Sequence, residues 1–337
     1  MTRPNLRQIA QELGLSVTTV SRALKDGPEV HPDTRARVRK EAMRAGYAPN
    51  VHGLALRTGR THHLTFVLPL ETSAALSDIA KVPLIEGMTL AARQAGYMLS
   101  IASISPDEDQ LAMLARLAQS GMTDGLVITR MRPADPRLDI LRDKKLPFVC
   151  FGQSDARPDY PFIDIDNHEM GREAAAQLLA RGRRRIALQL LSQGDLASAA
   201  RLDGLTEGLA QAGLRPDPGL IGHDAFTMEE SAAFFGHLLD LPQPPDGFVC
   251  ANELGLLGAL HALRQRGLQP GLDVDLVSRD STGMSAYLAV PVIRHHVDMA
   301  EVGRLLVEAL IARIEHPGAP VIQTVLRGRM LAAGQTG

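Results

Sequence analysis

Three groups of side chains stand close enough in the chain to do chemistry. Residues 16–22 read Ser16-Val17-Thr18-Thr19-Val20-Ser21-Arg22. Short hydroxyls and a forked guanidinium on successive turns suit hydrogen bonds to base edges and phosphates in a DNA major groove. Gly152-Gln153-Ser154-Asp155-Ala156 follows an apolar run and has the outline of a nucleophile elbow. Ala156 stands where that sharp turn requires Gly, so the nucleophilic reading fails. His168-Glu169-Met170-Gly171-Arg172 begins like a zinc-protease helix, yet Arg172 occupies the position of the second metal ligand. His62-His63 and His295-His296 lack further ligands at metal spacing, and there is no Gly-rich phosphate loop with Lys. Neither catalysis nor a metal or cofactor is expected.

For residues 16–22 to meet a groove, helices must present them. Asn5 can cap a first helix with Gln8 reaching back, and Leu6, Ile9, Ala10 and Leu13 share one face. Gly14-Leu15 ends it. Ser16 offers a hydroxyl cap for a second helix whose Val20, Ala23 and Leu24 face inward, leaving Val17, Thr18, Ser21 and Arg22 outside. Two short helices across a tight turn form a helix-turn-helix. A third follows, with Pro32 in its first turn, Val38, Ala42 and Ala45 on one face, and Gly46 closing it. Charge agrees: residues 1–60 hold 11 Lys and Arg against 5 Asp and Glu, while residues 61–337 hold 25 against 33. A small basic unit on an acidic body fits a module that meets a polyanion.

The string Ile9 to Leu24, continued by Thr34-Arg35, Val38 and Gly46-Tyr47-Ala48-Pro49-Asn50, closely resembles the DNA-binding headpiece of the lactose/galactose-repressor (LacI/GalR) family. The resemblance implies that Ser16, Val17, Thr18, Thr19, Ser21 and Arg22 lie on the recognition helix and its caps, with Val17 and Thr18 selecting the operator. Val17 would read a thymine methyl or shape, and Thr18 and Arg22 polar edges. His31 stands at a helix cap where the family usually has Ser. The linker Asn50-Val51-His52-Gly53-Leu54-Ala55-Leu56-Arg57 would fold on DNA as a hinge helix, with Asn50, Leu54 and Leu56 at the DNA and Leu56 wedged into the minor groove. Gly53 replaces a small Ala, which implies a hinge that folds less readily off DNA.

With 337 residues, 45% hydrophobic and 22% charged, the chain is long enough for two or three ordinary folded units. The longest apolar stretches, such as residues 285–293, run about half of a bilayer crossing. Arg3, Arg7, Glu12 and Arg22 leave no room for a secretory signal, so the expected place is the cytoplasm. Cys150 and Cys250 each end an apolar run and read as buried free thiols. From Leu64 onward apolar runs alternate with helical patterns, the mark of parallel sheets covered on both faces. The order then returns: Gln94-Ala95-Gly96 recurs as Gln211-Ala212-Gly213, and Asp124-Gly125-Leu126-Val127 as Asp246-Gly247-Phe248-Val249. Two lobes of one design are expected, with a ligand cleft at the carboxyl ends of their strands.

The fold expected is thus an all-α helix-turn-helix headpiece joined to an α/β core of two parallel-sheet lobes, which resembles the periplasmic-binding-protein-like core of the same family. Its divisions are residues 1–49 for the headpiece, 50–60 for the hinge and 61–337 for the core. Lobe one would take about 61–161 and 292–320, and lobe two about 162–290 and 321–337. In the family an Arg three residues before a Gly, an Asn after a strand and an Asp after another strand converge on the effector. Arg201, Asn252 and Asp280 match, Phe226 falls where some members place a stacking aromatic, and His295 lies in a segment that often touches the ligand. Departures include Glu253, Arg279, Gly152-Gln153 and Arg294-His295-His296. The resemblance implies a regulator of carbohydrate-utilisation genes that represses a pseudo-palindromic operator as a homodimer and is released by a sugar. A purine or phosphorylated sugar, a corepressor or activating role, and a solute receptor of the transport type stay open as alternatives.

Overall fold

The computed structural model describes residues 5–24, 27–47, 60–70, 79–154, 158–192, 194–223 and 227–332. Asn50, Gly53, Leu54, Leu56 and Phe226 lie outside them. Two compact units divide the chain, Met1–Thr61 and His62–Gly337.

The first unit holds helices α1 (Leu6–Leu13), α2 (Val17–Leu24) and α3 (Pro32–Arg44). The side chain of Asn5 accepts from the Gln8 N–H at 3.1 Å, and that of Gln8 accepts from the Asn5 N–H at 2.9 Å, closing the expected capping box. Gly14 ends α1 at φ 65, a left-handed conformation that glycine adopts without a Cβ penalty. Ile9, Ala10, Val20, Ala23, Val30, Val38 and Ala42 make the core, so α2 buries one side and presents the other. Leu24, expected inward, is half-buried.

The second unit runs β1 (His63–Pro69), α4 (Lys81–Gln94), β2 (Met98–Ile104), α5 (Gln110–Gln119), β3 (Gly125–Thr129), α6 (Pro136–Asp143), β4 (Phe148–Phe151) and β5 (Phe162–Ile165). It continues with α7 (Asn167–Ala180), β6 (Ile186–Gln189), α8 (Leu196–Ala210), β7 (Ile221–Gly222), α9 (Met228–Leu239), β8 (Gly247–Cys250), α10 (Glu253–Gln265), β9 (Asp275–Arg279) and β10 (Val292–His296). Helix α11 (Met299–Glu315) and strands β11 (Gln323–Leu326) and β12 (Arg329–Leu331) complete it. Among the described residues there are two six-stranded sheets, ordered β11-β5-β4-β3-β1-β2 and β12-β10-β9-β8-β6-β7. The first is parallel throughout, and the second is parallel except where β12 runs against β10. The repeated Asp-Gly pairs open β3 and β8, which hold corresponding places in the two orders. Successive residues of a strand serve opposite faces: Leu64, Phe66 and Leu68 pack on one side of the first sheet and Val67 on the other. Such two-sided burial is why these strands read as unbroken apolar runs.

The lobe boundaries differ from expectation. Strand β5 pairs with β4 (Cys150↔Phe162) and β11 with β5 in the first sheet, while β10 pairs with β9 in the second. The chain therefore passes between lobes after Ile165, after His296 and after Leu326, rather than before Phe162, Val292 and Val321. An isolated apolar tetrapeptide carries no record of which sheet it joins, because pairing is decided by partners far away in sequence.

Each lobe contains a helix pair packed backbone to backbone. A Cβ on Gly87 of α4 would lie 2.0 Å from the Ala300 carbonyl oxygen of α11, and one on Gly303 would lie 2.2 Å from that of Leu84. Between α7 and α8, Gly171 and Gly204 hold the same role, at 2.1 Å from the Arg201 oxygen and 1.8 Å from the His168 oxygen. Backbone atoms cannot swing aside, so Gly303→Ala should lower the unfolding free energy in urea by about 3 kcal/mol. Gly318→Ala, whose Cβ meets nothing within 4 Å, should stay within about 0.5 kcal/mol of the parent. An unchanged midpoint for Gly303→Ala would contradict the close helix contact.

Candidate functional site

In the first unit, α2 begins where the Ser16 hydroxyl accepts from the Thr19 N–H at 3.0 Å and meets the Thr19 hydroxyl at 2.8 Å. Ser16 and Thr19 thus build the helix start. Val17 and Thr18 stand exposed in the first turn, Ser21 is half-buried, and exposed Arg22 reaches Glu29 at 3.3 Å. What the helix offers outward is the Val17 methyl pair, the hydroxyls of Thr18 and half-buried Ser21, and the Arg22 guanidinium. His31 caps α3, its Nδ1 accepting from the Asp33 N–H at 3.4 Å.

In the second unit a cavity of about 620 Å³ opens between the lobes. Its walls are the carboxyl ends of parallel strands: Phe66, Leu68 and Pro69 of β1, Thr129 to Met131 at the end of β3, Phe151 to Ser154 at β4 and Asp164 to Asn167 at β5. The facing wall holds Leu191, the start of α8 from Asp195 to Arg201, Asn252 after β8 and Arg279 of β9. The glycine contacts press the α8 backbone at Arg201 onto the first turns of α7. The buried Arg201 guanidinium donates to Asn167 Oδ1 at 2.8 Å and to the Ala251 carbonyl at 3.3 Å. Asn252 caps α10, its Oδ1 accepting from the Gly255 N–H at 2.9 Å, which leaves its NH2 as the group it can offer. Gln153 donates to Asp164 at 3.0 Å, and burial pushes the Asp164 carboxyl upward. Across the cleft, Arg130 reaches Asp195 at 3.8 Å, and the Leu196 N–H donates to the Met131 carbonyl at 3.4 Å. Donors, acceptors and apolar side chains around one volume can hold a small polyhydroxylated molecule.

Residues 5–50 match the family described as bacterial regulatory proteins, lacI family, and residues 175–336 match the periplasmic binding protein-like domain. The HTH-type transcriptional regulator AglR of Rhizobium meliloti (strain 1021) is 34% identical over 99% of this chain and 94% of its own length. The chain belongs to the LacI family. Among solved structures, a transcriptional regulator CelR–cellobiose complex superposes with a TM-score of 0.74 at 26% identity, covering 98% of this chain and 99% of the other. The lac repressor dimer bound to operator and anti-inducer superposes with a TM-score of 0.85 at 17% identity over 99% of each chain, a likeness of fold. As a LacI-family member the protein is a DNA-binding transcriptional regulator and not an enzyme.

The LacI-family effector set of the sequence is only partly gathered. Arg201 and Asn252 line the cavity, and Asp280 and His295 do not. The buried Asp280 carboxylate accepts from the N–H groups of Thr282, Gly283 and Ser285 at 3.3, 2.8 and 3.2 Å and from the Ser285 hydroxyl. It builds the turn after β9, with Arg294 at 3.9 Å behind it. That contact also removes Arg294 from the groups that would meet an anion. Glu253 is equally internal, accepting from the Ser281 N–H at 2.7 Å. His295 lies under Gly328, whose Cβ would fall 2.0 Å from the ring. Sequence reasoning missed Asp195, which caps α8 through the Ser198 N–H at 2.6 Å, and it missed Asn167, Asp164 and Arg130. The Asp195-x-x-Ser198 spacing before a helix was the legible signal; the left-handed Arg130 (φ 57) had none. Ser154 of the elbow-like segment is buried, donating to the Arg132 carbonyl at 2.7 Å and accepting from the Asp135 N–H at 3.1 Å, a structural role. Both cysteines are buried and free, with burial pushing their thiols up.

Burial, and then the charges of Arg201 and Arg279, lower the His295 pKa from 6.5 to about 4. His296 adds to this, and the charge of Asp166 opposes it without overcoming it. The unfolded chain therefore takes up this proton first as the pH falls below 6.5, and stability drains away down to about pH 4. Between about pH 7.5 and pH 4.5 the parent should lose about 2 to 3 kcal/mol more than His295→Gln in urea unfolding. Parallel pH profiles for the two proteins would show that His295 is not held neutral.

Proposed function

We propose that this LacI-family regulator is a repressor released by a neutral carbohydrate, with the sugar held in the interlobe cavity. Residues 1–49 are the DNA-binding part, 50–60 the hinge and 61–337 the effector and dimerisation core. The protein works on operator DNA, and so in the cytoplasm. The observation that carries the reading is the cavity lining. Among the described residues, four carboxylates (Asp164, Asp166, Asp195, Asp203) stand with four cationic side chains (Lys81, Arg130, Arg201, Arg279) around one volume. A cavity so balanced favours hydroxyls, which both donate and accept, over a phosphate. Among the described residues its aromatic members, Phe66 and Phe151, come from one lobe, and Phe66 is 1% exposed, so these two rings do not clasp a purine between facing walls. CelR, solved with cellobiose, shares the fold at 26% identity. Arg201 and Asn252 are the effector contacts proposed, and Val17, Thr18, Ser21 and Arg22 the groove contacts, with Asn50, Leu54 and Leu56 acting through the hinge. Ser16 and Thr19 start the recognition helix and add phosphate contacts.

Release requires that the sugar prefer one lobe arrangement over the other, since equal affinity for both would shift nothing. We place the twofold partner on the first lobe. Edge strand β2 exposes Met98 and Ile101, and the adjacent α4 exposes Val82 and Leu90, an apolar surface that water does not favour.

Operator duplexes selected from random palindromes, titrated by fluorescence anisotropy, test the assignment. Arg22→Ala should weaken binding by about 1 to 3 kcal/mol and relax base preference. Arg201→Ala should bind operator as the parent does yet ignore maltose, cellobiose, sucrose and melibiose; loss of both properties together would count against the site. In sedimentation, Ile101→Asp should shift a dimer toward monomer and weaken operator binding at least about tenfold. A dimer that persists would move the interface elsewhere.

A further inference from the structure

The first interlobe crossing carries an amide whose two ends face different lobes. Asn167 is the first residue of α7, buried at 8% exposure, directly after the last residues of β5. Its Nδ2 donates to the Ile165 carbonyl at 3.0 Å, on the final residue of a first-lobe strand. Its Oδ1 accepts from Arg201 Nη2 at 2.8 Å, on a second-lobe helix. A guanidinium only donates and a carbonyl only accepts, so the partners fix the amide's orientation and it serves both at once. The backbone around this bridge cannot yield: Gly171 and Gly204 press α7 and α8 together on either side of Arg201. Next to it Asp166 caps α7 through the Glu169 N–H at 2.9 Å and faces Arg327, in the third crossing, at 3.7 Å. A displacement of the Arg201 head toward a ligand therefore pulls on the strand end where the chain changes lobes.

We propose that Asn167 is a positioning residue that couples Arg201 to the first crossing, converting the grip on a sugar into a change of lobe arrangement. The inference rests on the reading of Arg201 as an effector contact. It separates two properties that a purely structural asparagine would lose together, sugar affinity and the coupling of sugar to operator. Coupling is the ratio of sugar affinities in the operator-free and operator-bound protein.

Asn167→Asp keeps an acceptor for Arg201, removes the donor to Ile165, and suits a helix's first turn, where a carboxylate is favoured. The test measures calorimetric titration of the full chain with maltose, cellobiose, sucrose and melibiose, with and without operator, together with the thermal midpoint. In Asn167→Asp, sugar should still bind to the free protein, operator affinity without sugar should hold, and the coupling ratio should fall at least fivefold toward one. Asn167→Ala, lacking both bonds, should lose sugar affinity as well, by about tenfold. A parent that couples strongly beside an Asn167→Asp that couples equally would overturn the link and leave the carbohydrate reading standing. A parent that answers to none of the four sugars would overturn the carbohydrate reading and the link with it.

Discussion

The geometry of the second unit depends on helices that touch through their backbones. Gly171 and Gly204 bring α7 and α8 so close that a single methyl on either would penetrate a carbonyl oxygen. That approach sets the height at which Arg201 leaves its helix, and hence its bonds to Asn167 and to the Ala251 carbonyl. A larger residue would move the donor fork by more than a hydrogen bond tolerates. Gly87 and Gly303 impose the same closeness in the first lobe, where α4 and α11 cover one face of the sheet. The two lobes thus share a packing rule as well as a strand order.

Behind the cavity wall lies a second layer of polar groups that does not line it. Glu253 and Asp280 hold the Ser281–Ser285 turn by hydrogen bonds, and Arg294 stands 3.9 Å from Asp280. Charged groups are costly to bury unless partnered, and the four bonds to the Asp280 carboxylate keep this turn in place. Its effect is to hold the β9 end, and with it Arg279, against the cavity.

The sequence made local features legible and concealed distant ones. The capping box of Asn5 and Gln8, the stop at Gly14 and the inward face of α2 are each settled within four residues of chain, and they appear as expected. The cleft at the strand ends follows from parallel topology alone, and Arg201 and Asn252 stand on it. Asp280 looked equally suited by type and position. Whether a carboxylate faces a ligand or closes a turn depends on where its own neighbours' N–H groups point, and residue type does not encode that. His295 stands off the cavity lining for a related reason, since the glycine that covers it comes from a strand connection more than thirty residues later. Asn167 went unnoticed because its importance lies in joining two partners, only one of them near in sequence.

The three passages between the lobes begin side by side. Ile165 pairs with Leu326 in the first sheet, and His296 with Arg329 in the second. Tethers gathered into so narrow a strip resist sliding and separation while leaving pivoting cheap, as a piano lid is free to turn but not to shift. Within the second unit the arrangement of the two lobes then comes down chiefly to one angle between them.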